Sequence, residues 1–156
     1  MSPADLTDEV KDTLVELRRR RYKLSIGSSS KNTKFILKQI GLENFFDAIA
    51  DDTDVTHSKP DPEVFLIATH KTGIASVGCA VVEDAKAGIQ AAKVAGMTAL
   101  VLFGDARNCG LEDYDLSAFS ECYMMYPVVK VGSVTHPAVR PRVGARCILP
   151  QLSAKR

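Results

Sequence analysis

No apolar run in this sequence approaches the roughly 20 residues a membrane-spanning helix needs, and Met1-Ser2-Pro3-Ala4-Asp5 leads into charged residues rather than an apolar leader core. The expectation is a cytoplasmic protein with no membrane partner. An excess of one charge is also missing, because 20 Lys and Arg stand against 19 Asp and Glu, a net of +1. The whole-chain balance therefore gives no reason to expect a nucleic-acid partner. Cys79, Cys109, Cys122 and Cys147 are far apart and form no CxxC pair, which fits reduced thiols better than a disulfide frame or zinc site. His57, His70 and His136 have no metal-ligand spacing. His57 is close enough in sequence to Lys59 to line the same cleft, although a loop histidine is more often bystander than base.

What remains is ordinary for one globular core: 156 residues, 46% hydrophobic and 25% charged. Thr7 is placed to cap a first helix with Val10, Leu14 and Leu17 on one face, and its basic run Arg18 to Arg21 suits the negative end of the helix dipole. A short strand is expected over Tyr22 to Gly27, then a helix capped by Ser30 that runs to Ile40 and stops at Gly41. Phe45, Phe46 and Ile49 read as core. After a polar stretch from Asp51 to Ser58, two prolines introduce a helix from Glu63 to Thr72, closed by Gly73. Cys79 to Val82 reads as a buried strand, Ala85 to Ala95 as a helix ended by Gly96, and Thr98 to Phe103 as a further strand. Helices alternating with short apolar strands predict a doubly wound parallel α/β sheet, whose ligands sit at the carboxyl ends of the strands.

Three polar clusters fall at or near those ends. Ser28, Ser29, Ser30, Lys31 and Asn32 link a strand to a helix, where hydroxyls and backbone N–H groups suit a phosphoryl group, although the same residues are ordinary capping chemistry. Lys59, between a polar loop and Pro60, can present a cation to developing negative charge. Asp61, between two prolines, reads as a cap or turn residue. Glu83 and Asp84 follow the apolar Ala80-Val81-Val82, and adjacent carboxylates at a strand end suit Mg²⁺.

In order and spacing, Gly27-Ser28-Ser29-Ser30-Lys31-Asn32, Ser58-Lys59-Pro60-Asp61-Pro62-Glu63-Val64-Phe65 and Val82-Glu83-Asp84-Ala85-Lys86-Ala87-Gly88-Ile89-Gln90-Ala91-Ala92 resemble the second, third and fourth motifs of the haloacid-dehalogenase superfamily, closest to its β-phosphoglucomutase branch. The resemblance spans about residues 2 to 121. It implies a Rossmann-like core and Mg²⁺-dependent phosphoryl transfer on a sugar phosphate, between the 1 and 6 positions of β-glucose phosphate through an aspartyl-phosphate. Ser28 would bond the phosphoryl group and Lys59 would stabilise it. Glu83 and Asp84 would help hold Mg²⁺, and Ser30, Lys31 and Asn32 would bind the far phosphate of a sugar bisphosphate.

The same resemblance exposes what is missing. The superfamily opens on a strand bearing Asp-x-Asp, followed by a helical cap; Asp5, Asp8 and Asp12 sit in or beside the first helix and do not match. The expected fold is thus the superfamily core without its first strand and cap, leaving apolar edges on the two neighbouring strands. Its expected boundaries are a partial core over residues 1–121 and an atypical, poorly ordered tail over 122–156. Lys and Arg number 14 against 18 carboxylates in residues 1–120, and 6 against 1 in residues 121–156. Val128 to Val134 could make a strand there, but Pro127, Pro137, Pro141 and Pro150 interrupt the surroundings. Two further readings accompany the inactive mutase: a sugar phosphatase of the same superfamily, and a non-catalytic fragment. The fragment would be a truncated product or half of a split protein completed by a separate N-terminal piece.

Overall fold

A computed structural model of the chain describes residues 6–122 and 147–150, the last four as backbone only. Four helices, α1 (Asp8–Arg19), α2 (Thr33–Gln39), α3 (Glu63–Thr72) and α4 (Lys86–Val94), alternate with strands β1 (Lys23–Gly27), β2 (Ala48–Ala50), β3 (Cys79–Glu83), β4 (Thr98–Leu102), β5 (Tyr114–Leu116) and β6 (Cys147–Pro150). The strands form one sheet in the order β2-β1-β6-β3-β4-β5, with parallel pairing throughout. This is the expected doubly wound α/β architecture.

Alternation along the buried strands divides the core between two faces. Leu24 and Ile26 of β1 and Ala80 and Val82 of β3 pack with Leu14 and Leu17 of α1 and Leu37 of α2. Cys79 and Val81 share the other face with Val64, Phe65 and Ala68 of α3 and Ile89, Ala91 and Ala92 of α4. Thr7 caps α1 by accepting from Val10 N at 3.3 Å. The basic run at the end of α1 is tied down locally: Arg18 reaches Asp47 at 2.7 Å, while Arg19 and Arg20 both pair with Glu16. Their hydrogen bonds, Arg19's foremost, hold Glu16 down to about 2.

Two differences from the sequence reading concern local limits. α2 begins at Thr33 behind Asn32, which makes no side-chain cap bond; Ser30 instead accepts from Asn32 N at 3.1 Å in the preceding turn. β4 ends at Leu102, because Phe103 turns to φ 65° and Gly104 to φ 73°. Among the described residues, no helix is long and apolar enough to cross a membrane.

The larger difference is β6. Cys147-Ile148-Leu149-Pro150, within the segment expected to be an atypical, poorly ordered tail, pairs with β1 on one side and β3 on the other. Among the described residues, β6 is the strand that lies between β1 and β3. Pro150 stands at the final position of this strand and donates no N–H to the ladder. Cys79 of β3 and Cys147 of β6 are register partners. Val128 to Val134 lies outside the described residues.

Candidate phosphate and cation site

Every residue of β3 is buried, so the strand delivers Glu83 to the carboxyl-terminal rim only 3% exposed. A solitary carboxylate there would be costly. Lys59 meets it: Nζ lies 2.8 Å from Glu83 Oε2, and the lysine side chain is 9% exposed. The ammonium also stands 4.7 Å from the centroid of Phe65, a cation–π contact from the first turn of α3. Glu83 Oε1 accepts from the Asp84 and Ala85 N–H groups, each at 3.2 Å. Burial pushes the Glu83 carboxyl above the usual carboxylate range, with the Lys59 ammonium pulling the other way.

Gly88 makes room for this pair. A Cβ at that position of α4 would overlap the Glu83 carboxylate, so the close approach of helix to strand end requires glycine. Asp84, next along the rim, is fixed through its backbone. Ala106 N donates to its carbonyl at 3.2 Å, and Gly104 comes so close to that carbonyl that a Cβ there would overlap it. Asp105 accepts from Lys86 N at 2.9 Å, closing the start of α4. Nothing in the sequence of this loop after β4 marks it as part of the site, whereas Gly88 lies within the motif that runs from Val82 to Ala92.

The segment that presents Lys59 is organised by its own acids. Buried Asp51 accepts from Thr53 N at 2.9 Å, and Asp54 accepts from Asp51 N at 2.9 Å. Glu63 accepts from Thr56 N at 3.0 Å and His57 N at 2.8 Å. Those bonds, Thr56 N–H first, hold Glu63 down to about 2. His57 Nδ1 lies 3.1 Å from Glu63 in a side chain 72% exposed, so this histidine belongs to the loop's scaffold. Asp61 accepts from Glu63 N at 2.9 Å at the start of α3, the turn role expected of it.

Ser28 follows β1 on the same rim; its N–H donates to Ala50 O at 2.9 Å and its hydroxyl accepts from Ser30 N at 3.1 Å. Ser29, Lys31 and Asn32 are exposed. Lys31 Nζ lies 3.9 Å from Asp52, which also accepts from Ser58 at 3.3 Å, so Asp52 links the serine loop to the lysine loop. Lys59 and Glu83 are therefore in contact, with Asp84 adjacent to Glu83 in sequence. The serine loop stands two strand spacings away across β6, about 10 Å.

Among the described residues no three His, Cys, Asp or Glu side chains gather as a metal cluster. The donor set nevertheless suits Mg²⁺, which takes one or two carboxylates and completes its shell with waters and phosphate oxygens. Glu83 is turned toward Lys59, whereas Asp84 is only partly buried at the rim.

Comparison with known proteins accords with this geometry. Over 100 residues the chain is 38% identical to the β-phosphoglucomutase of Bacillus subtilis (strain 168), covering 64% of this chain and 44% of that protein. It is also 38% identical over 100 residues to the fructose-1-phosphate phosphatase YqaB of Escherichia coli (strain K12), covering 64% and 52%. The chain thus spans about half the length of these curated relatives. Among solved structures, the β-phosphoglucomutase of Clostridium difficile superposes with a TM-score of 0.73 at 26% identity, over 81% of this chain and 56% of that one. The sequence profile of haloacid dehalogenase-like hydrolases matches residues 3–102, which include all three polar clusters of the rim. With the motifs, the sheet and this match in agreement, the chain belongs to the haloacid dehalogenase-like hydrolase family.

Proposed function

We propose that the chain carries the phosphate- and cation-binding side of a sugar-phosphate phosphoryl-transfer site of the β-phosphoglucomutase type, without a carboxylate nucleophile of its own. The observation that carries this reading is the buried Lys59–Glu83 pair at the rim, 2.8 Å apart, on the same edge as the Ser28 loop. In this proposal the Lys59 ammonium neutralises charge on a transferring phosphoryl group, and Ser28 donates a hydrogen bond to it. Ser30, Lys31 and Asn32 take the second phosphate of a bisphosphate, which favours a mutase over a phosphatase. Glu83 and Asp84 hold Mg²⁺, which when bound supplies charge stabilisation to phosphate oxygens.

The strand between β1 and β3 holds no carboxylate along Cys147–Pro150, and no Asp or Glu follows Glu121 in the 156 residues. Binding without turnover is the consequence. A second polypeptide bringing an Asp-x-Asp strand would have to displace β6 from its place.

Calorimetry of the full chain with glucose 1,6-bisphosphate and Mg²⁺, beside a phosphotransfer assay on β-glucose 1-phosphate, tests the reading. Expected are Mg²⁺-dependent binding, no isomerisation, and affinity about tenfold weaker in Ser28→Ala, the worth of one charge-assisted hydrogen bond. Turnover like that of an intact mutase would overturn the missing-nucleophile reading. Release of inorganic phosphate without isomerisation would favour the phosphatase, and no binding at all would leave a non-catalytic α/β domain.

A further inference from the structure

The end of the sheet opposite the phosphate rim carries a second arrangement, made at the level of strand register. β6 pairs Cys147 with Cys79 of β3 on one side and with Lys23 of β1 on the other. Register partners on parallel strands lie about 4.8 Å apart, within the Cα separation a disulfide spans. Face assignment agrees. Cys79 and Val81 belong to the α3/α4 face, whereas Leu24, Ile26, Ala80 and Val82 belong to the other. Because Ile148 is in register with Leu24 and Ala80, the Cys147 position falls on the face that Cys79 and Lys23 share.

We propose that Cys79 and Cys147 form a reversible disulfide that fastens β6 into the centre of the sheet. Lys23, with a side chain 54% exposed and its ammonium 3.9 Å from Asp47, marks this edge as reachable from solvent. Cys79 is fully buried and donates to Ala75 O at 3.4 Å, which makes it the resolving rather than the attacked thiol.

With a disulfide oxidant such as oxidised glutathione, the Cys147 thiolate attacks a glutathione sulfur and expels one glutathione thiolate. The Cys79 thiolate then attacks the Cys147 sulfur of that mixed disulfide and expels the second. Two protein thiols are oxidised, one glutathione disulfide is reduced to two thiols, and protons balance through the thiolates. Closing this bond ties residue 79 to residue 147, so the short strand is retained by a covalent link as well as by its ladder. Reduction leaves the ladder alone, with the last position a proline that cannot donate.

The native cysteines allow a direct test. The full chain is equilibrated across glutathione redox buffers, quenched in acid, alkylated under denaturing conditions and digested with trypsin. Cys79 falls on the peptide Thr72–Lys86 and Cys147 on Cys147–Lys155, whereas Cys109 and Cys122 share a third. The expected result is a linked pair of the first two peptides that rises with oxidised glutathione and disappears with reduced glutathione, while Cys109 and Cys122 are alkylated throughout. Hydrogen exchange at the Ile148 and Leu149 amides should slow at least tenfold on oxidation in the native chain, and not in Cys147→Ser. Full alkylation of Cys79 and Cys147 across the series overturns the proposal. So does linkage of Cys147 mainly to Cys109, to Cys122 or to a second chain.

Discussion

Lys59 and Glu83 are each nearly removed from solvent and lie 2.8 Å apart, so neither charge is tolerable without the other. Lys59→Met should therefore cost about 3 to 5 kcal/mol at neutral pH, the range for breaking a buried pair by removing one partner, measured as a lower urea midpoint. The cost should depend on pH. Burial already raises the Glu83 carboxyl above its ordinary 4.5, and losing the lysine removes the effect that opposes this. A raised folded-state value means that the stability linked to protonated Glu83 is complete below about 4.5 and is lost as pH rises through the folded value. The deficit of Lys59→Met should thus be small at pH 4 and grow toward pH 7, while Lys59→Met with Glu83→Gln should show a flatter profile. An equal deficit at both pH values would mean that Glu83 is not held ionised by Lys59. Lys59 and Glu83 were both visible in the sequence as chemistry, but their contact was not: 24 residues separate them, and a loop organised by Asp51, Asp54 and Glu63 brings them together.

At the scale of elements, one device secures both outer strands. Asp47 precedes β2 and accepts from Leu24 N at 2.9 Å, while its own N–H donates to Leu24 O at 2.8 Å. Asp113 precedes β5 and repeats the pattern on β4, accepting from Ala99 N at 2.8 Å and donating to Ala99 O at 2.9 Å. Each carboxylate also meets a cation from a helix, Arg18 for Asp47 and Lys93 for Asp113. Three-residue strands have too few ladder bonds to hold their ends unaided, so the aspartates complete the pairing where each strand begins. Asp113→Ala should cost about 1.5 to 3 kcal/mol, the range for a hydrogen bond to a charged group. Exchange at the Ala99 amide should accelerate while the centre of β3 stays protected. If Ala99 exchange is unchanged, the aspartate is not anchoring β5. These short strands had escaped the sequence reading for the same reason: Ala48-Ile49-Ala50 and Tyr114-Asp115-Leu116 are too brief for a period to register. By contrast α3 was readable to its last residue, because Pro62 and Gly73 punctuate both ends.

Over the whole molecule, the strand that joins the two halves of the sheet is the last in sequence among the described residues. β2 with β1 forms one block and β3 with β4 and β5 the other, and β6 supplies the pairing between them. From the sequence, the absence of an Asp-x-Asp strand predicts apolar edges on two neighbouring strands. The strand that meets them is not legible there, because a proline-rich, carboxylate-free stretch surrounds four residues whose significance lies entirely in the edges they meet. Those edges make the physical argument. Leu24, Ile26, Ala80 and Val82 are all buried, and parallel edges without a partner expose their amides and carbonyls as well. Leu149→Pro removes one central N–H without shortening the chain. It should lower the urea midpoint by the equivalent of about 3 kcal/mol or more and expose β1 and β3 amides to exchange together, since both lean on the same strand. Removing residues 147–156 should go further, abolishing a single cooperative transition and driving association through the vacated edges. If the shortened chain unfolds at the same urea concentration and with the same steepness as the full chain, β6 is not the element that joins the two blocks.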